Sequence, residues 1–221
     1  MKTKIVSITK PLITTANGLE LSTEDLICYV GRVSSPQNQD NLETAPKLLK
    51  YLIANKHWSP LEMVDFTVEI ETSRAIAAQI LRHRSFVFSE FSQRYSGVTN
   101  FEQYEARRQD TKNRQNSIDD MSQSDKEWFI EAQMQVWDKS FNLYNEAIAK
   151  GIAKEQARFL LPLNTSTRLY MKGSLRSWIH YLDLRRANGT QKEHSDIANS
   201  IITTILPVHF PHTLNALGWN T

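Results

Sequence analysis

A single cysteine, Cys28, stands in 221 residues, so no disulfide can close within the chain. Glycine is scarce, with seven residues, and nowhere do two of them form Gly-x-Gly. A Rossmann phosphate turn is therefore missing, and a dinucleotide would have to be held by side chains and subunit interfaces. No apolar run approaches the length of a membrane span. Residues 1–15 carry lysines without the apolar stretch of a secretory signal. The expected compartment is the cytoplasm. Charge of one sign is missing too: 26 Lys and Arg oppose 24 Asp and Glu, a net +2. So even a balance argues against a protein whose main task is coating nucleic acid. No internal repeat or long Gly/Ser or Pro linker divides the chain, and its length suits one domain over residues 1–221.

Apolar residues nevertheless make up 40% of the chain, enough for a sizeable core without disulfide or metal staples. Their spacing changes along the sequence. Ile5, Val6 and Ile8 suggest an opening strand. Ser22 or Thr23 reads as the N-cap of a helix through Leu26, Ile27 and Val30. A second helix over residues 44–56 would bury Leu48, Leu49, Leu52 and Ile53. After Ser59-Pro60 the period becomes two. Val64, Phe66, Val68 and Ile70 alternate with Asp65, Thr67, Glu69 and Glu71, as in a strand with one wet face. Thr72 or Ser73 then caps a helix predicted to reach about Arg84.

Residues 102–120 are polar and mixed in charge, and read as a solvated loop or insertion. A long helix is predicted over residues 124–150, ended by Gly151. Trp128, Phe129, Val136, Trp137, Phe141, Leu143 and Tyr144 are available on it for packing. A short helix over residues 154–161 stops at Pro162, and residues 165–172 suggest a strand. Gly173-Ser174 opens another helix, and the chain from Gln191 onward reads as helical until Pro207 and Pro211 interrupt it. Strands mixed with many helices, without a regular βαβ rhythm, predict an α+β fold.

The chemistry concentrates in residues 79–95. Gln79, Arg82 and His83 stand at i, i+3 and i+4, so on a helix they share a face bordering Ile76 and Ile80. Polar groups at the rim of a core need partners there, because burying them unpaired is costly. The following loop adds Glu90, Ser92, Gln93 and Arg94. Arginine with serine hydroxyls and backbone amides is a phosphate-gripping set, each charge-assisted bond contributing about 1.5–3 kcal/mol. By itself, Arg82-His83-Arg84 reads as a solvated basic helix end.

Further on, Leu175, Trp178, Ile179 and Leu182 form an inward stripe, with Arg176, His180 and Asp183 on the other side. Arg185 returns beside Trp178, at the edge of that stripe. From spacing alone an acid is its expected partner. Cys28, inside Leu26-Ile27-Cys28-Tyr29-Val30, reads as a buried structural thiol. In His209-Phe210-Pro211-His212 the proline denies the helical geometry of a zinc pair, and no metal site is expected. Arg82 and Arg84, Arg107-Arg108 and Arg185-Arg186, with Phe91 and Tyr95 for stacking, offer a nucleic-acid surface as the competing reading. The even charge balance disfavours it.

Arg82-His83-Arg84, seven residues, then Ser92 resembles the signature of the flavin-dependent thymidylate synthases, and the trailing Gln93-Arg94-Tyr95 is similar too. Other family-like segments occur in the family's order. They are His57-Trp58-Ser59-Pro60-Leu61-Glu62, Ala157-Arg158-Phe159-Leu160-Leu161-Pro162-Leu163-Asn164, and Gly173-Ser174-Leu175-Arg176-Ser177-Trp178-Ile179-His180 leading to Leu184-Arg185. Arg32-Val33-Ser34 is a fainter match upstream. The resemblance spans roughly residues 30–200.

The resemblance implies reductive methylation of dUMP to dTMP. Methylenetetrahydrofolate would be the carbon donor, FAD the hydride carrier and NADPH the reductant, with no cysteine nucleophile. It implies a central, mostly antiparallel sheet flanked by helices, with a helical lobe, in homotetramers that share active sites between chains. The residues implied at dUMP are Gln79, Arg82, Glu90, Phe91, Ser92, Gln93, Arg94, Arg158 and Arg185, with Arg185 as the activating, catalytic group. Those implied at FAD are Ser59, Arg82, His83, Arg84, Glu90, Ser174, Leu175, Arg176 and His180, and His57 matches a position where folate stacks on the flavin. Two positions depart from the pattern: Ser89, where the family often has asparagine, and Gly189, near where it has histidine.

Overall fold

The structure, a computed structural model, describes residues 2–219. Residues 1, 220 and 221, the outermost positions of the expected domain, lie outside the described residues. The alternating segment builds β2 (Asp65–Ser73), with Phe66, Val68 and Ile70 buried on one face. Its neighbours are β1 (Lys2–Ile8) and β6 (Ser166–Ser174), and β3 (Val87–Glu90) flanks β6. All pair antiparallel, in the order β1-β2-β6-β3. The register runs from Asp65↔Ser174 to Ser73↔Ser166, so each long strand ends on a serine, at opposite ends of the antiparallel pair. A bulge between Ile5 and Ser7 turns Val6 out to solvent.

Those terminal serines each start a helix. Ser73 Oγ accepts from the Ile76 N–H at the head of α3 (Arg74–Ile80), and Ser174 Oγ accepts from the Ser177 N–H at the head of α6 (Leu175–Arg186). Upstream, a Ser22–Asp25 capping box opens α1 (Thr23–Gly31), and α2 (Ala45–Ala54) follows with proline in its first turn. Downstream lie α4 (Gln123–Ala149), α5 (Lys154–Ala157), α7 (Lys192–Thr204), α8 (Leu206–His209) and α9 (Pro211–Leu217). Pro207 and Pro211 sit in the first turns of α8 and α9, so they start new helices rather than only ending one. One core joins α1, α2, the sheet, α6 and α7, with a second small cluster of Tyr144, Ala147 and Ala157 in the helical lobe of α4 and α5. Among the described residues no helix is long and apolar enough to cross a membrane.

Two expectations need correction. The helix predicted to reach Arg84 stops at Ile80, and Arg82-His83-Arg84 lies in a turn. The chain beyond it, read as loop, includes the edge strand β3. Residues 102–120 form a mostly exposed loop that carries the short hairpin of β4 (Arg108–Gln109) and β5 (Ser117–Ile118) and a forked Arg108–Asp120 pair. Tyr104 there donates to Ser73 Oγ at 2.5 Å, and its backbone is clasped by Gln133 of α4. Of the residues that α4 offers for packing, Trp137 and Tyr144 are buried, and Trp128, Val136 and Leu143 are exposed.

Gly173 leaves room on β6 for the Phe86 ring. A Cβ there would stand 2.6 Å from Phe86 Cδ1, and that ring packs against Trp178 at 4.9 Å and Tyr181 at 5.7 Å. Gly189 has φ +89°, a left-handed backbone that glycine suits and histidine would strain.

Candidate active site

Because α3 ends early, its last turn hands the chain to β3 within six residues. The backbone bends through hydrogen bonds from His83 to Ile80 and from Phe86 to His83. This turns His83 inward, its ring edge-on to Tyr181 at 4.8 Å. Arg82 and Arg84 point out, and their side chains have no hydrogen-bond or ion-pair partner among the described residues. The last turn of α6 brings Arg185 to the same place, 102 residues on. Its Nε and Nη2 both donate to His83 Nε2, at 2.9 and 2.8 Å. Burial, and then the Arg185 charge, push the His83 pKa down to about 4. The imidazole is therefore neutral at ordinary pH and able to accept. The acid expected beside Arg185 is thus replaced by a histidine.

Gln79, at the end of α3, meets α7. His194 Nδ1 lies 3.3 Å from Gln79 Oε1, and His194 Nε2 lies 2.9 Å from the Tyr181 hydroxyl. Gln79 Nε2 donates to Gln191 Oε1 at 2.6 Å, and Gln191 Nε2 to Glu193 Oε2 at 2.8 Å. None of Tyr181, Gln191, Glu193 and His194 was singled out by the sequence reading. One signal was available: His194 lies on the same helical stripe as Ile197, Ala198 and Ile201, where a fully buried imidazole needs a partner.

A second group forms at the head of α6. Ser174 Oγ donates to Glu62 Oε2 and Arg176 Nη1 to Glu62 Oε1, both at 2.6 Å. The Ser174 hydroxyl, with Arg176 behind it, holds the Glu62 carboxyl below its ordinary value. His180 packs edge-on against Trp58 at 4.7 Å, beside Ser59, which opens a short 3₁₀ turn. Leu175 is fully buried and its N–H donates to Val64 O, so it supports this group from beneath. Glu62, within a motif yet absent from the expected site residues, is its hub.

A third group follows β3. Glu90 takes Arg74 Nη1 at 2.6 Å and the Thr167 hydroxyl at 3.0 Å. With Phe91, Ser89, Arg168 and Tyr170 it lines a cavity of about 550 Å³. Gln93 is buried, and Ser92 Oγ accepts from the Arg94 N–H at 3.3 Å. Arg94 pairs with the Glu155 carboxylate at 3.2 Å while Arg158 Nε donates to the Glu155 carbonyl, so these two distant arginines meet on one residue. Among the described residues, no hydrogen bond, ion pair or ring contact joins the Gln79–His83–Arg185, Glu62–Ser174–Arg176, Glu90 and Arg94–Arg158 groups to one another. His57 stands exposed, edge-on to Tyr51.

Comparison with known proteins identifies the family. The sequence pattern of the Thy1 family, described as thymidylate synthase complementing protein, matches residues 19–211. A flavin-dependent thymidylate synthase of Synechocystis sp. is 59% identical over 219 residues, which cover 99% of this chain and all of that protein. One from Dictyostelium discoideum is 33% identical over 186 residues, 82% of this chain and 61% of that protein. A crystal structure of the UMP/dUMP methylase PolB from Streptomyces cacaoi, bound with 5-Br dUMP, superimposes with TM-score 0.83. It covers 99% of this chain and 94% of that one at 22% identity, a likeness of fold. This chain belongs to the Thy1 family, the flavin-dependent thymidylate synthases.

Proposed function

We infer that this chain is an FAD-dependent thymidylate synthase, methylating dUMP to dTMP with methylenetetrahydrofolate as carbon donor and NADPH as reductant. The observation that carries this reading is the Arg185–His83 pair, which joins two family-like segments 102 residues apart. A neutral imidazole takes two of the guanidinium's N–H groups and leaves the cation unneutralised. Its remaining N–H groups are then available to a pyrimidine oxygen. Set there, Arg185 stabilises negative charge as the ring nitrogen loses its proton, which makes a ring carbon nucleophilic. Ser92, Gln93, Arg94 and Arg158 supply the phosphate grip, with Gln79, Arg82, Glu90 and Phe91 around the nucleoside.

The residues fit a flavin dinucleotide. Arg82 and Arg84 are exposed cations without partners among the described residues, and Arg176 stands on Glu62 beside the helix-capping Ser174. That donor set suits a pyrophosphate where no glycine-rich turn exists. Ser59, Arg82, His83, Arg84, Glu90, Ser174, Arg176 and His180 would hold the group, and the chemistry it supplies when bound is hydride donation. Cys28 is not needed. Its Sγ donates to Ala45 O at 3.2 Å, and burial pushes the thiol up to about 11.

The reading includes a homotetramer whose chains complete one another's sites, as the family resemblance implies. The test is direct. Purified protein with dUMP, methylenetetrahydrofolate, NADPH and FAD should form dTMP, and yellow protein should bleach under NADPH. Colourless protein that makes no dTMP and is retained on RNA would overturn the reading.

A further inference from the structure

The hydrogen bonds around Gln79 have one consistent direction, set from the far end. The Glu193 carboxylate oxygen accepts, so Gln191 turns its amide N–H toward it and leaves Oε1 to face Gln79. Gln79 must then donate from Nε2, which leaves its own Oε1 facing His194 Nδ1 at 3.3 Å. Only a protonated Nδ1 satisfies that oxygen. A neutral His194 is then bare at Nε2, and the Tyr181 O–H donates to it at 2.9 Å. Both rings are buried, His194 fully, so water offers no alternative partners. Burial first, and the nearby Arg185 charge second, push the His194 pKa down to about 3, so the chain keeps its polarity across ordinary pH.

We propose that Tyr181 and His194 are positioning residues for Gln79. They lock its amide so that the Nε2 N–H not taken by Gln191 is presented to an acceptor oxygen of dUMP. The inference rests on the reading of Gln79 as a nucleotide contact. Tyr181 also meets the His83 ring edge-on at 4.8 Å, so the same buried pair backs both Gln79 and the acceptor of Arg185. An amide free to flip would present its carbonyl oxygen instead, and two acceptors would then face each other.

The test compares Tyr181→Phe/His194→Phe, Gln79→Ala and the triple variant as flavin-loaded proteins. Replacing both members of a buried hydrogen-bonded pair by rings of similar shape is close to neutral for stability. The double variant should therefore keep its flavin and its unfolding temperature while binding dUMP about five- to tenfold more weakly. The loss should fall on KM rather than kcat. Gln79→Ala should weaken dUMP binding to a similar degree, and the triple variant should be no weaker than Gln79→Ala alone. Unchanged affinity in Tyr181→Phe/His194→Phe, with a loss in Gln79→Ala, would overturn the positioning role and leave the nucleotide contact standing. Unchanged affinity in Gln79→Ala would remove both. Should the double variant fail to fold, ¹⁵N spectra of histidine-labelled wild-type holoenzyme decide: a neutral Nδ1–H tautomer at His194 supports the proposal, and an Nε2–H tautomer overturns it.

Discussion

Arg185→Ala is expected to slow dTMP formation by about 10²–10³ while leaving the flavin bound. The side chain acts in two ways that the substitution separates. As a cation beside the pyrimidine it takes up developing negative charge, and removing one such preorganised donor costs about 10²–10³ in rate, roughly 3–4 kcal/mol. As a donor it gives His83 Nε2 two hydrogen bonds, at 2.9 and 2.8 Å. Truncation leaves that half-buried acceptor unpaired, which costs about 1–3 kcal/mol of stability, less whatever an entering water restores.

A third consequence follows from the order of causes at His83. Burial depresses its pKa most and the Arg185 charge second. In Arg185→Ala the imidazole should titrate above the present value of about 4 but still below its ordinary 6.5. The assays are single-turnover dTMP formation, flavin absorbance of the purified protein, and NMR titration of His83. Near-normal turnover would refute the role of the cation. A His83 that titrates unchanged would refute the electrostatic part of the pairing. Arg185→Lys keeps the charge but loses the fork, and should fall between the two proteins.

Cys28→Ala should retain activity; complete loss of turnover in a folded, flavin-loaded protein would contradict a cysteine-free mechanism. Ser92→Ala should raise the dUMP concentration needed for half-maximal rate, and unchanged affinity measured by calorimetry would remove Ser92 from the phosphate grip. Gly173→Ala drives a methyl against Phe86, whose ring is already held by Trp178 and Tyr181, and should lower stability by about 1–3 kcal/mol in thermal unfolding. His194 and His83 titrate at about 3 and about 4 in the folded chain against an ordinary 6.5. The unfolded chain therefore binds more protons in between, and the stability they contribute is complete above about pH 6.5 and lost as pH falls through those values. Unfolding temperatures from pH 7.5 down to 4.5, at fixed protein and flavin concentrations, should drop more steeply for the wild type than for Tyr181→Phe/His194→Phe; parallel curves would refute the assignment.

The legible parts of the fold are those decided within a few residues. Serine caps at Ser22, Ser73 and Ser174, the alternation at Phe66, Val68 and Ile70, and the left-handed Gly151 all report local backbone chemistry. The family-like segments were readable for the same reason, as short strings. What was not readable depends on the sheet. β3 is a strand because β6 offers its free edge from Lys172 to Leu169, a partner 79 to 85 residues away that periodicity near Phe88 does not announce. Nor does local spacing announce Glu62 beneath Ser174, 112 residues apart, or Arg74 beside Glu90 across the turn and β3, 16 residues apart.

The partner of Arg185 is the most instructive miss, because ordinary electrostatic reasoning favours an acid beside a half-buried cation. A carboxylate there would have satisfied the guanidinium and cancelled its charge. The catalytic role proposed for Arg185 needs that charge intact, facing the pyrimidine. A histidine kept neutral by burial resolves the conflict: it accepts two N–H groups, fixes the plane of the guanidinium, and takes nothing from its charge. The like-charge repulsion that would follow protonation is what helps keep His83 neutral, so each group holds the other in its useful state.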